Sequence, residues 1–155
     1  MSGANVMQRA SGSVGRHRDA DSGAVDVNTL PMLFAVGLGG ALGALARFGT
    51  MVLLAPMSGR RFYAATLFIN VLGSLALGLL YGAAQQKGAP AWLTGWMTGL
   101  LGVGVLGAFT TFSTFAVEVV RLLHSHRVFE AACYAVLSAA LAIGAAALGF
   151  RWMLR

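Results

Sequence analysis

The chain has 155 residues, of which 57% are hydrophobic and 10% are charged. A soluble domain carries roughly 25% charged residues, so this composition excludes a water-exposed globular fold and predicts an integral membrane protein. The formal net charge of +6 does not indicate a nucleic-acid partner, because the basic residues flank apolar segments, where they anchor headgroups and set topology.

Residues 1–29 differ in composition from the rest of the chain. They are rich in Ser, Gly, Asp and Arg, and they lack the apolar run of a signal peptide. We predict a disordered polar tail for residues 1–29 and one four-helix transmembrane domain for residues 30–155.

Apolar periodicity gives four segments after the tail, each long enough for the roughly 20 residues that a bilayer requires. Pro56, Ser58 and Gly59 are expected to end the first segment, and the polar turn Gln85–Gly88 ends the second. The third is too long for one straight crossing, which indicates an interruption around Gly104–Thr111. The predicted spans are about Pro31–Leu54, Phe62–Ala84, Ala91–Leu123 and Val128–Phe150.

Four crossings place both termini on the same side of the membrane. The basic residues of the spans and loops then divide almost evenly between the two sides of the membrane, so the positive-inside rule favours neither orientation strongly. Two readings stay open: a chain that inserts both ways and pairs as an antiparallel dimer, or a single orientation set weakly by the tail. The side of the termini holds Lys87, Arg151 and Arg155, and the opposite side holds Arg60, Arg61, Arg127 and Arg121.

Small residues four positions apart favour close helix approach in membranes. Gly39 and Gly43 form one such pair, and Gly95 and Gly99 form another. Because four short spans enclose little volume, we expect a pore or binding site to need a second copy of the chain.

Arg47 is the only basic residue well inside a predicted span. A charge at membrane depth costs about 2.5–3.5 kcal/mol on insertion scales. It either attracts an anion at a vestibule or extends its side chain to the interface, and its position alone leaves both readings open.

Polar side chains also recur at helical spacing in the second and fourth spans. Thr66, Asn70 and Ser74 lie at i, i+4 and i+8 and share one face. Their amide and hydroxyl groups can donate to an anion or join helices by hydrogen bonds. Tyr134 and Ser138 form an i, i+4 pair that allows the same two readings.

The densest polar run, Gly107–Phe115, falls in the middle of the third span. Lipid offers hydroxyls no partners, so this run marks a pathway or a binding site. A helix break there would free carbonyls for a small cation such as Na⁺, and amide N–H groups where the helix resumes. If the helix resumes near Thr111, Phe112 and Phe115 share a face. Their positive ring edges would suit a weakly hydrated anion, although core packing is the commoner use of such rings.

Glu118 follows one turn after Phe115. An acid in a span can carry protons or bind cations, and Arg121, three residues on, can pair with it. The sequence contains no nucleophile–base pair or metal-ligand cluster, so we do not expect an enzyme.

These segments resemble the CrcB/Fluc family of fluoride ion channels, and the likeness covers essentially all of residues 31–155. The threonine- and phenylalanine-rich run is the most specific part of the likeness. The matching residues are Gly39–Ala44 through Arg47, Phe68–Ser74, and Gly107–Phe115 with Glu118.

The resemblance implies an all-α membrane protein with four transmembrane helices, a break in the third helix, and assembly as an antiparallel dual-topology homodimer. Such a protein would lie in the bacterial inner membrane and carry fluoride passively out of the cytoplasm, which lowers fluoride toxicity. The alternative function is a small dual-topology proton-coupled exporter of organic cations. That exporter needs an acid deep in the first span, where this chain has Arg47.

By position, the resemblance also implies roles for individual residues. Phe112 and Phe115 correspond to the family's phenylalanine box, Asn70 to the pore amide, and Arg47 to the vestibule arginine. The carbonyls of Gly107 and Thr110 would hold a structural Na⁺ at the dimer centre. Ala142 departs from members that carry serine at that position. The remaining residues of the implied fluoride pathway are Thr111, Thr114, Tyr134 and Ser138.

Overall fold

The computed structural model describes residues 29–58 and 63–155. The predicted tail, the second span's expected start at Phe62, and Arg60 and Arg61 therefore lie outside the described residues, apart from Thr29. The described chain forms α1 (Thr29–Ser58), α2 (Ala64–Ala84), α3 (Ala91–Thr94), a π-helix (Thr98–Leu106), α4 (Gly107–Phe109), α5 (Phe112–His124) and α6 (Val128–Met153).

Four helical segments of the described chain are long and apolar enough to cross a membrane, which confirms the four predicted segments. Their bounds are Thr29–Pro56, Ala64–Ala84, Ala91–His124 and Val128–Met153. The first helix continues past Pro56 and ends at Ser58, one of the residues expected to end it, four residues beyond the predicted bound near Leu54. A proline this close to a helix end removes only one of the last backbone hydrogen bonds, so the helix tolerates it.

Glycines allow α1 to lie directly against the π-helix. A Cβ atom at Gly39 would overlap the carbonyl oxygen of Leu100, and one at Gly43 would overlap that of Val105. The predicted close approach at this glycine pair is therefore confirmed. In the second pair, a Cβ at Gly99 would overlap the Met32 side chain of α1, whereas one at Gly95 would meet only the Ala91 carbonyl of its own segment, at 3.1 Å.

A second close contact joins α2 to α6. A Cβ atom at Gly78 would overlap the Ala146 carbonyl, and one at Gly82 would lie 2.7 Å from the Phe150 carbonyl. The residue numbers of the contacting pairs increase in the same direction along both helices, so α2 and α6 run parallel. Gln86 Nε2 also donates to the Met153 carbonyl where both helices end.

Large apolar side chains cover the outside of the bundle, whereas few are buried. Leu122, Ala131 and Tyr134 form a small core, with Phe115 and Val119 packed against it. This distribution suits a hydrocarbon surrounding, where glycine-mediated packing and interhelical hydrogen bonds hold helices together. Large exposed side chains occur on every long helix, among them Leu38, Leu45, Phe68, Val120, Val136 and Ile143.

Candidate functional site

The third apolar segment contains two residues with extended backbone between α4 and α5. Thr110 has ψ of 157°, and Thr111 has φ of −149° and ψ of 117°. Both residues are β-branched and so adopt extended backbone readily. Helical backbone resumes at Phe112.

The Asn70 side chain of α2 bonds to the backbone of Thr111 at this point and replaces the helical partner of the Thr111 N–H. Its Oδ1 accepts from the Thr111 N–H at 2.8 Å, and its Nδ2 donates to the Thr111 carbonyl at 3.0 Å. A buried peptide unit without partners would cost about 1–3 kcal/mol for each unsatisfied group. Because Thr111 is only 5% exposed, water reaches its backbone poorly, and the two hydrogen bonds from Asn70 supply partners for its N–H and carbonyl.

Thr111 caps the helix that follows. Its Oγ1 accepts from the Thr114 N–H at 3.2 Å and donates to Thr114 Oγ1 at 3.1 Å. A threonine at this position satisfies one of the amide groups that open a helix. Ser113 Oγ lies 3.2 Å from the same Thr111 oxygen, so three hydroxyls form one connected cluster.

These contacts free two backbone carbonyls. In a continuous helix, the Thr111 N–H would bond to the Gly107 carbonyl and the Thr114 N–H to the Thr110 carbonyl. Both amides are engaged elsewhere, by Asn70 Oδ1 and Thr111 Oγ1. Gly107 retains a long contact of 3.4 Å from the Thr110 hydroxyl. Gly107 is exposed and Thr110 half-buried, so the freed oxygens lie near the surface of the single chain.

The aromatic residues that follow form a connected row. The ring centroids of Phe112 and Phe115 are 5.7 Å apart, and those of Phe115 and Tyr134 are 5.3 Å apart. The predicted shared face of Phe112 and Phe115 is confirmed by this contact. Phe115 packs against the core, whereas Phe112 is 79% exposed. Tyr63 extends the row on the inner side, with its centroid 4.8 Å from that of Tyr134.

Glu118 lies at the centre of the polar contacts between α2, α5 and α6. Its side chain is 4% exposed and accepts from Thr66 Oγ1 at 2.7 Å and from the Tyr134 hydroxyl at 2.6 Å. The predicted pairing with Arg121 is wrong. Burial directs the carboxylate to hydroxyl donors on the neighbouring helices, as a buried acid requires, while Arg121 is exposed.

Two predicted residues make fewer contacts. Ser138 is 5% exposed, and its Oγ has no hydrogen-bond partner among the described residues. Arg47 is half-buried on α1 and is not joined to the interruption by any hydrogen bond in the described chain. The structure thus brings together Asn70, Thr110, Thr111, Thr114, Phe112, Phe115 and Tyr134, with Ser138 one turn further along α6.

Two residues beside the interruption were not predicted as site residues. Thr66 donates to Glu118, although its i, i+4 spacing with Asn70 was visible in the sequence. Gly73 leaves room for the interruption itself, because a Cβ there would overlap the Thr110 methyl group and lie 3.2 Å from the Phe109 ring.

Four apolar helical segments, the third of which contains a hydroxyl-rich interruption, define a multi-pass membrane protein. A family model described as "CrcB-like protein, Camphor Resistance (CrcB)" matches residues 34–150. The chain therefore belongs to the CrcB family, which confirms the resemblance found in the sequence.

Individual relatives match over most of both chains. A protein from Idiomarina loihiensis named "Fluoride-specific ion channel FluC" is 43% identical over 118 residues, which are 76% of this chain and 88% of that protein. A protein of the same name from Saccharophagus degradans is 41% identical over 79% of this chain and 89% of its own length. "Fluoride-specific ion channel FluC 2" from Rhodococcus jostii is 46% identical over 75% of this chain and 93% of its own length.

Proposed function

We propose that this protein is a fluoride-specific channel that releases fluoride passively from the cytoplasm and so lowers its toxicity. Hydrogen fluoride enters from acidic surroundings and dissociates at neutral pH, and the anion cannot recross lipid. A negative interior drives the anion outward by about 2.3 kcal/mol per charge per 100 mV. The names of relatives at 41–46% identity support this substrate.

The observation that carries the proposal is the extended pair Thr110–Thr111, held by Asn70 and followed by the Phe112–Phe115 pair. Polar groups and positive ring edges meet here in an otherwise apolar segment. Asn70 uses Oδ1 and one of its two N–H groups on Thr111, so a second N–H is left to donate to an anion.

The proposed pathway continues along α6. Tyr134 contacts Phe115 through its ring, and the buried Ser138 hydroxyl lies one turn away without a partner in the described chain. The hydroxyls of Ser138 and Thr114 would replace part of the hydration shell of fluoride, and Thr111, whose proton goes to Thr114 Oγ1, would hold Thr114 in place. Arg47 would attract the anion to a vestibule.

An antiparallel dual-topology homodimer would complete this site. Phe112 is 79% exposed in the single chain, and Gly107, which precedes the interruption, is exposed as well. A ring in this position contributes little to a pore unless a second copy covers it. The near balance of basic residues on the two sides of the predicted topology favours insertion in both orientations.

A structural Na⁺ ion at the dimer centre fits the carbonyls that the interruption frees. The amides that a continuous helix would supply to Gly107 and Thr110 are held by Asn70 and Thr111. Carbonyl oxygens of interrupted helices are the ligands that bind Na⁺ in membrane proteins. Two carbonyls from each of two copies would give four oxygen ligands, and the bound ion would supply a fixed positive charge between the copies.

Liposome flux tests the function directly. The purified protein would be reconstituted with internal potassium fluoride, and efflux would be started with valinomycin and followed with a fluoride electrode. We expect fluoride release above that of empty vesicles and no release of chloride. Absence of fluoride release would overturn the proposal. The organic-cation exporter is disfavoured because α1 contains Arg47 and no acidic residue.

A further inference from the structure

The last turns of α6 have one face that packs on α2 and one that points away from the bundle. A Cβ atom at Gly149 would lie 2.5 Å from the Leu75 carbonyl of α2, which fixes the inner face. Arg151 and Trp152 follow on the other side of the helix, and Trp152 is 67% exposed. The outward face consists of exposed residues at i, i+3, i+4 and i+7, namely Leu148, Arg151, Trp152 and Arg155.

Three basic side chains lie at this end of the bundle. The Gln86 side chain donates to the Met153 carbonyl, so the turn after α2 lies against the end of α6. This contact places Lys87 at the same end as Arg151 and Arg155. All three basic residues are exposed, and none of them forms an ion pair with a described residue.

The described part of the chain offers these cations no countercharge. Its two acidic residues are Glu118, which lies beside Tyr134, and Glu130, in the first turn of α6. Roughly 25–30 Å of helix separate both from Arg151. Glu118 accepts from two hydroxyls, and Glu130 is held in an ion pair at the far end of α6. A carboxylate on Arg155 itself would offset one of the three positive charges, so a positive excess remains.

Tryptophans show the membrane depth of this end. The chain has three tryptophans, and each is more than half exposed. Trp92 and Trp96 lie at the start of the third apolar segment and Trp152 at the end of the fourth, so all three lie on one side of the membrane. Because indole rings concentrate at the membrane–water interface, the three basic residues lie at the level of the lipid headgroups.

The outward face of α6 continues into the hydrocarbon region as an apolar stripe. Leu141 and Leu148 are 48% and 60% exposed, and no described neighbour lies within 4 Å of a Cβ atom placed on Gly144. From Leu141 to Trp152 the stripe is about 16 Å long, which is close to the roughly 15 Å depth of one leaflet. One lipid could therefore contact the stripe with an acyl chain and the basic residues with its headgroup.

We infer that the end of α6 is a binding site for an anionic phospholipid, whose headgroup is held by the three basic residues and whose acyl chain lies along the leucine stripe. Charge complementarity favours this occupant over a second copy of the chain, because the described acids of that copy are engaged as well. The tail is also a poorer match, because its charges balance: Arg9, Arg16 and Arg18 against Asp19, Asp21 and Asp26. The lipid site is separate from the proposed ion pathway and does not depend on which ion the protein carries.

The test follows the fluorescence of Trp152 in phosphatidylcholine bilayers that contain a minor fraction of phosphatidylglycerol. Trp92→Phe and Trp96→Phe leave Trp152 as the only tryptophan. Bromine, which quenches indole at short range, is placed on the acyl chains of phosphatidylglycerol or of an equal amount of phosphatidylcholine. We expect brominated phosphatidylglycerol to quench more strongly, with a binding preference of about 5-fold for each basic residue that contacts the headgroup.

The variants separate charge from fold, and circular dichroism checks the helicity of each. Arg151→Gln with Arg155→Gln should remove most of the preference, whereas Arg151→Lys with Arg155→Lys should retain it. Arg121→Gln is the matched control, because it removes an exposed cation at the other end of the bundle and should leave the preference unchanged. The preference should also fall between 0.01 M and 1 M salt, as the screening length falls from about 30 Å to about 3 Å.

Equal quenching by the two brominated lipids would overturn the inference, and so would a preference that survives both glutamine substitutions. A preference that appears only after Asp19, Asp21 and Asp26 are changed to Asn would overturn it as well, because the tail would then be the occupant.

The unsubstituted sequence gives a second measurement, its melting temperature in neutral detergent micelles with either lipid added. Phosphatidylglycerol should raise this temperature more than phosphatidylcholine does, and an equal effect of the two lipids would count against the site. Neither measurement uses ion flux, so a failure here leaves the proposed function intact, and an absence of fluoride release leaves the lipid site intact.

Discussion

The two-point contact of Asn70 with the Thr111 backbone gives the sharpest prediction about the site. Asn70→Leu keeps the side-chain volume nearly constant but removes the acceptor at 2.8 Å and the donor at 3.0 Å. Thr111 is 5% exposed, so water cannot readily replace them. As the N-cap of α5, Thr111 keeps a helical partner for its carbonyl, whereas its buried N–H is left unsatisfied, which costs about 1–3 kcal/mol.

The control is Ser74→Ala, one turn further on the same face of α2. Ser74 is half-buried, and its removal leaves the Thr111 peptide unit satisfied. Both variants would be unfolded reversibly in mixed detergent micelles, with helicity as the signal. We expect the free energy of unfolding to fall by about 1–3 kcal/mol more for Asn70→Leu than for Ser74→Ala. Equal unfolding curves would refute the argument that Asn70 stabilises the interruption.

Three further substitutions probe the surroundings of the same site. Gly73→Ala should lower the free energy of unfolding by about 1–3 kcal/mol, because the new methyl group overlaps the Thr110 methyl; an unchanged unfolding midpoint would contradict this. Tyr134→Phe removes a hydroxyl that bonds to Glu118 at 2.6 Å and should cost about 1.5–3 kcal/mol. In a double-mutant cycle with Thr66→Val, additive effects would argue against a shared carboxylate. Phe112→Ile should slow fluoride efflux and leave the dimer intact by light scattering, and unchanged efflux would remove this ring from the pathway.

The sequence predicts the crossings well because the membrane constrains them strongly. Four long apolar segments follow from hydropathy, and they are confirmed with shifts of a few residues at their ends. The first helix ends beyond the predicted bound near Leu54 because Pro56, close to the helix end, removes only one backbone hydrogen bond and α1 continues to Ser58. The glycine spacing predicts the α1 contact at Gly39 and Gly43, and the same four-residue spacing at Gly78 and Gly82 marks the α2–α6 contact.

The partners of the polar residues are harder to predict because they lie far apart in the chain. Asn70 and Thr111 are separated by 41 residues, and Thr66 and Glu118 by 52. The i, i+3 spacing predicted an ion pair between Glu118 and Arg121. Because the Glu118 side chain is buried, its hydrogen-bond partners are instead hydroxyls on neighbouring helices. The spacing of Phe115, Glu118 and Leu122 at i, i+3 and i+7 already indicated one shared face, and with it the burial of the carboxylate.

The central claim is that fluoride crosses this protein alone and without coupling to another ion. It is tested most directly by current recordings in a planar bilayer with fluoride at unequal concentrations and chloride present on both sides. We expect a current that reverses at the Nernst potential of fluoride, and a reversal potential that does not shift when pH or sodium is changed on one side. A reversal potential that follows chloride, or one that moves with the proton gradient, would contradict it.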